Sequence, residues 1–133
     1  MQELKELTNE YKERLKFITK DLENIKNYKY DNLIREDIKV DAESLFVVLI
    51  DYINLALDIN NAPENITVDD AIEFCESKGF ISKDFKEVAL NNINIFMGED
   101  LDIDDILEFI NNNIEILKAE VKVMEDINIK LSK

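Results

Sequence analysis

Residues 42–61, A-E-S-L-F-V-V-L-I-D-Y-I-N-L-A-L-D-I-N-N, are apolar almost all round. The stretch is long enough for about five helical turns. Its polar side chains, Ser44, Asp51, Asn54 and Asp58, follow one another at intervals of seven, three and four. On a helix they form one narrow stripe, interrupted by Val47. A helix with a single thin polar stripe is covered on most sides by other helices, so this one is predicted to be central. A membrane span is disfavoured, because Asp51 and Asp58 would each be costly in lipid. Leu49 lies opposite the Asp51–Asp58 stripe and is predicted to face the core.

The flanking segments supply the cover. In residues 3–27, Leu4, Leu7, Tyr11, Leu15, Ile18, Leu22 and Ile25 recur at three- and four-residue steps, as in a bundle seam. Residues 28–39 have mixed periodicity and read as a connector. Asp31 would cap a short turn, the central helix would reach back to about Arg35, and Leu33 and Ile34 would pin the connector to the bundle. Pro63 cannot continue the central helix. Thr67 then predicts an N-cap for a third helix over 68–78, with Val68, Ala71, Ile72 and Cys75 inward, Phe74 alongside, and Gly79 closing it. Ser82 predicts the cap of a fourth helix over 83–97. Its inner face is Phe85, Val88, Ala89, Asn92, Ile93 and Phe96, and Gly98 ends it. A fifth helix begins after Asp102 and runs to about 131. Its seam is Ile103, Leu107, Ile110, Ile114, Leu117, Val121 and Met124, and the next seam position, Asn128, is expected to be solvated. The pattern predicts an all-α, antiparallel up-and-down helical bundle of about five helices around a four-helix-bundle core, as a single domain over 1–133.

Chemistry is sparse. The chain has 30 acidic and 16 basic residues, a net charge of −14, and only Arg14 and Arg35 as arginines. Such a surface is poor at holding phosphate backbones, so unaided nucleic-acid binding is disfavoured. There is no histidine, which rules out Ser-His and Cys-His mechanisms. Cys75 is the one cysteine, so no disulfide forms within the chain, which suits a reducing cytosol. It reads as a small buried residue. The N-terminus, M-Q-E-L-K-E-L, has no apolar run of the kind a secretory leader carries. Asp100, Asp102 and Asp104 match the alternate-residue start of a calcium loop, but Asp105 replaces its turn glycine and Asn111 its bidentate glutamate. Capping explains these acids better. Neither a metal nor a cofactor is expected. Asp51, Asn54 and Asp58 read as a solvent-facing or interface stripe.

Three stretches together carry a family resemblance: residues 42–61 quoted above, D-D-A-I-E-F-C-E-S-K-G-F-I-S-K-D-F over 69–85, and N-I-F-M-G-E-D-L-D-I-D-D-I-L over 94–107. In this order and spacing they resemble the HEPN superfamily, most closely its HepT-like branch, over most of the chain. The resemblance implies a helical bundle that forms homodimers. Active members are metal-independent ribonucleases, typically toxins neutralised by a minimal nucleotidyltransferase partner, and they use an Arg and a His in the third phrase. Here Ile93 stands at the Arg position and Gly98 at the His position, while Asn94 of that motif survives. A Tyr that the partner nucleotidylates in some members corresponds to Asp100. The resemblance with this degenerate motif implies a non-catalytic, cytoplasmic, homodimeric interaction module that pairs with a nucleotidyltransferase-like protein. Its alternative is a ribonuclease toxin of a toxin–antitoxin pair. A third reading is a stand-alone bundle that shares only the general look of long amphipathic helices.

Overall fold

The computed structural model describes residues 2–27, 32–99 and 102–132. The described residues form six helices: α1 (Gln2–Asn27), α2 (Asn32–Ile59), α3 (Val68–Ser77), α4 (Lys83–Asn91), α5 (Ile93–Phe96) and α6 (Ile103–Leu131). None of them is in a strand, and the chain is an all-α bundle. α1 and α2 form an antiparallel hairpin. α6 runs alongside α2 in the same direction, since Arg35 pairs with Asp104 near the two starts and Phe46 stacks edge-on against Phe109 further along. The return from the end of α2 to the start of α6 is made by the three short helices.

The core forms where α1, α2, α4 and α6 converge. Leu49 and Ala56 on α2 are fully buried, as are Leu4, Tyr11 and Ile18 on α1 and Ile110 on α6. The predicted stripe of α2 does face outward: Asp51, Asn54 and Asp58 are exposed, together with Val47, while Ser44 is half-buried. No described helix is long and apolar enough to cross a membrane.

Helix ends follow local chemistry. Thr67 and Ser82 each accept the backbone N–H three residues on, from Asp70 and Phe85. Asp102 accepts from both Asp104 and Asp105, so two acids of the calcium-like run are ordinary helix-start residues. Three helices close in the same way. After α3, Gly79 N–H donates to Glu76 and Phe80 N–H to Cys75, with Gly79 at φ +81°. After α5, Gly98 and Glu99 donate to Ile95 and Asn94, with Gly98 at φ +75°. After α2, Asn61 takes the left-handed position at φ +53° and the chain then meets Pro63. Each is a paired-bond C-cap that needs a residue tolerant of positive φ.

Five expectations are corrected. α2 begins at Asn32 rather than near Arg35, and Leu33 does not pin the connector: it is 78% exposed, while Ile38, four residues past Ile34, is fully buried. Asp31 lies outside the described residues. The predicted fourth helix breaks at Asn92, which leaves helical geometry (φ −131°, ψ 37°) and donates its side-chain amide to the Val88 carbonyl. A short polar side chain has there substituted for the backbone ladder. Beyond the break Phe96 still packs into the core, against Phe46 and Phe85. The seam of α6 is also rotated. Ile106, Phe109, Glu120 and Ile127 join Ile110, Leu117 and Met124 at its buried centre, and Ile103, Leu107, Ile114 and Val121 sit half-buried at the edge. Asn128 is not simply solvated, because its amide donates to the buried Thr8 hydroxyl and ties the end of α6 to α1.

Candidate functional site

The positions singled out by sequence fall on α5 and the turn after it. Ile93 opens α5 half-buried against the core, Asn94 is exposed, and Gly98 holds the left-handed turn that closes the helix. Asp100 lies outside the described residues. Neither Ile93 nor Gly98 offers an acid, a base or a cation, so neither position can move a proton or clamp a phosphate. Both arginines are engaged elsewhere, Arg14 with Glu10 and Arg35 with Asp104.

The segment instead contributes to an apolar pocket of about 140 Å³. Phe96 and Met97 form one wall, Ile50, Ile53 and Leu57 of α2 another, and Ala71 and Ile72 of α3 the third. Asn54 of the polar stripe stands at its edge, beside Val68, which is 39% exposed rather than inward as expected. Through Asn54 and Leu57 the pocket adjoins a wider groove of about 490 Å³ that includes Asp58, Asn61 and Glu64. The structure therefore brings Asn54 of the stripe next to the α5 segment, while Asp58 lies in the adjoining groove and Asp51 about one turn further back along α2.

Two carboxylates sit between packed helices. Glu120 is 1% exposed. One of its oxygens accepts from Ser82 N–H at 2.8 Å and the other from the Ser82 hydroxyl at 2.6 Å. Burial pushes its pKa up, and the two Ser82 hydrogen bonds pull it back. Around it the buried Tyr11 hydroxyl donates to the Leu117 carbonyl and the Tyr52 hydroxyl to the Phe80 carbonyl. Burial, then the neighbouring Glu120 charge, raises both phenols. Every member of this cluster is satisfied inside the protein, so it locks α6 to the α3–α4 turn and has no group free for chemistry. Sequence reading missed Glu120. The signal was its place three residues after Leu117 and four before Met124, on the apolar side of α6.

Asp21 on α1 faces Asp41 on α2. Burial, a hydrogen bond with Asp41 and the charges of Asp41 and Asp37 push its pKa up to about 7, against a smaller pull from Lys20. Its Oδ2 is sealed from solvent and has no hydrogen-bond partner. Cys75 is fully buried, and burial pushes its thiol up to about 11, which leaves it protonated and unreactive at neutral pH. Among the described residues, no group of three or more Cys, Asp or Glu side chains is placed to hold a metal ion. No family model matches the chain, and no curated protein or solved structure matches it.

Proposed function

We propose that the protein is a non-catalytic interaction module of the HepT-like HEPN type, homodimeric, with a nucleotidyltransferase-like protein as its partner. The observation that carries the non-catalytic half is the pair Ile93 and Gly98. One is half-buried against the core and the other occupies a turn that favours glycine, in a chain without histidine. The all-α bundle is the fold class that the family reading implies. The exposed apolar positions Leu33, Val40 and Val47, seven residues apart on α2, support an interaction role.

Two measurements test this reading. Light scattering at tens of micromolar is expected to give a dimer, and a monomer overturns that part. Cleanly purified protein is expected to leave single-stranded RNA and transfer RNA intact, and cleavage that scales with protein concentration overturns the non-catalytic part. The double substitution Ile93→Arg with Gly98→His sharpens the second test. A Cβ at Gly98 meets nothing within 4 Å, so the cost of His there is the positive φ, about 1 kcal/mol.

A further inference from the structure

The charges of this chain are segregated. Residues 40–77 contain nine Asp and Glu and not one Lys or Arg. Glu73 and Glu76 are answered by Lys86 from α4. Asp51, Asp58, Glu64, Asp69 and Asp70 have no ion-pair partner among the described residues, and all five are exposed. All five lie on α2, on α3 or on the loop between them, close in sequence to residues that line the apolar pocket between α2, α3 and α5. Asp58 and Glu64 line the adjoining groove, Asp69 and Asp70 follow Val68 at the rim, and Asp51 precedes Asn54 on the same face of α2. The exposed track Val40–Val47 runs along α2 toward the same pocket at heptad spacing.

We infer that this face docks a cationic amphipathic helix of another protein, with one aromatic or large aliphatic side chain seated in the pocket. The inference rests on reading the chain as an interaction module and adds the partner's chemistry to it. Volume sets the anchor: a cavity of about 150 Å³ lined by aliphatic and aromatic side chains takes up one benzene. The pocket, at about 140 Å³, suits a single Phe or Leu side chain. Charge sets the rest. A second copy of this chain would bring the same uncompensated carboxylates against each other, and nucleic acid would bring phosphates. Lys and Arg flanking an apolar seam complement both features, as in other helix-in-groove complexes.

The test is titration of isotopically labelled full-length protein with a synthetic Leu/Lys amphipathic helical peptide carrying one Phe. A scrambled peptide of the same composition serves as control. Saturable binding is expected, weakening with salt, with amide shifts concentrated at Ile53, Ile72 and Met97 and at least about tenfold weaker binding of the scrambled peptide, the equivalent of ~1.4 kcal/mol. Val68→Lys and Asp58→Lys both lie at exposed positions, so they test the face without threatening the core. Each is expected to weaken binding by about tenfold. Equal binding of the two peptides, no saturation, or indifference to both substitutions overturns the inference. So does a dimer that Val68→Lys dissociates, because the pocket would then belong to a second copy. Ribonuclease activity, or a monomer in which the peptide still binds, would count against the proposed function and leave this inference standing.

Discussion

Glu120 and Asp21 are both carboxylates raised by burial between packed helices, yet their surroundings are opposite in kind. Glu120 meets two donors from Ser82 and lies among tyrosines that bond elsewhere. Asp21 meets another carboxylate, and one of its oxygens is sealed off with nothing to accept from. The Ser82–Glu120 end is therefore a satisfied polar lock. The Asp21–Asp41 contact across the α1–α2 hairpin is a point of electrostatic strain. Burial of a charge is tolerable in proportion to the donors aimed at it, and the depth of burial matters less.

The scale for this contrast is ordinary packing. Leu49→Ala, at a fully buried site on α2, is expected to cost about 2–5 kcal/mol in chemical denaturation. A loss below ~1 kcal/mol would mean that α2 turns another face to the core. Glu120→Ala comes next, at about 2–4 kcal/mol. It leaves the Ser82 N–H and hydroxyl without their acceptor and opens a cavity between α6 and the α3–α4 turn. A nearly neutral result would erase the distinction between the two carboxylates. Tyr52→Phe, which removes one hydrogen bond to the Phe80 carbonyl, is expected to cost about 1 kcal/mol, read from the same denaturation curves.

Asp21→Asn has the smallest effect and the opposite sign. The folded-state pKa of Asp21 is about 7 against an ordinary 3.8. Its contribution is then most favourable below about pH 4 and is lost as pH rises to about 7. Asn at this position is expected to raise stability at pH 8 by up to about 1 kcal/mol, allowing for solvent screening of a half-exposed group. It is also expected to flatten the fall in stability between pH 5 and pH 8. Melting temperatures of both proteins across that range would show it. Parallel pH profiles would place the strain elsewhere.

The candidate site was partly legible. Asp51, Asn54 and Asp58 were read as an outward stripe and are one, because a 3.6-residue period fixes which positions share a face of α2 whatever packs against it. Gly98 was read as a helix stop and holds that turn. The pocket beside it was not legible. Its walls come from α2, α3 and the α5 segment beyond the break at Asn92, elements that no local pattern brings together.

By itself the sequence determined most of the helix ends from the close of α2 onward, though not the start of α2 or the break at Asn92. Thr67, Ser82, Asp102, Asn61, Gly79 and Gly98 act on backbone groups within a few residues of themselves, so their effect needs no knowledge of the rest of the chain. Tertiary structure decided which side of α6 is buried, that Glu120 finds Ser82, that Asn128 finds Thr8, and that Asp21 meets Asp41. Several apolar or polar residues on α6 and α1 compete for the same inward positions. The winners are chosen by contacts between residues as far apart as Thr8 and Asn128, which no local pattern encodes.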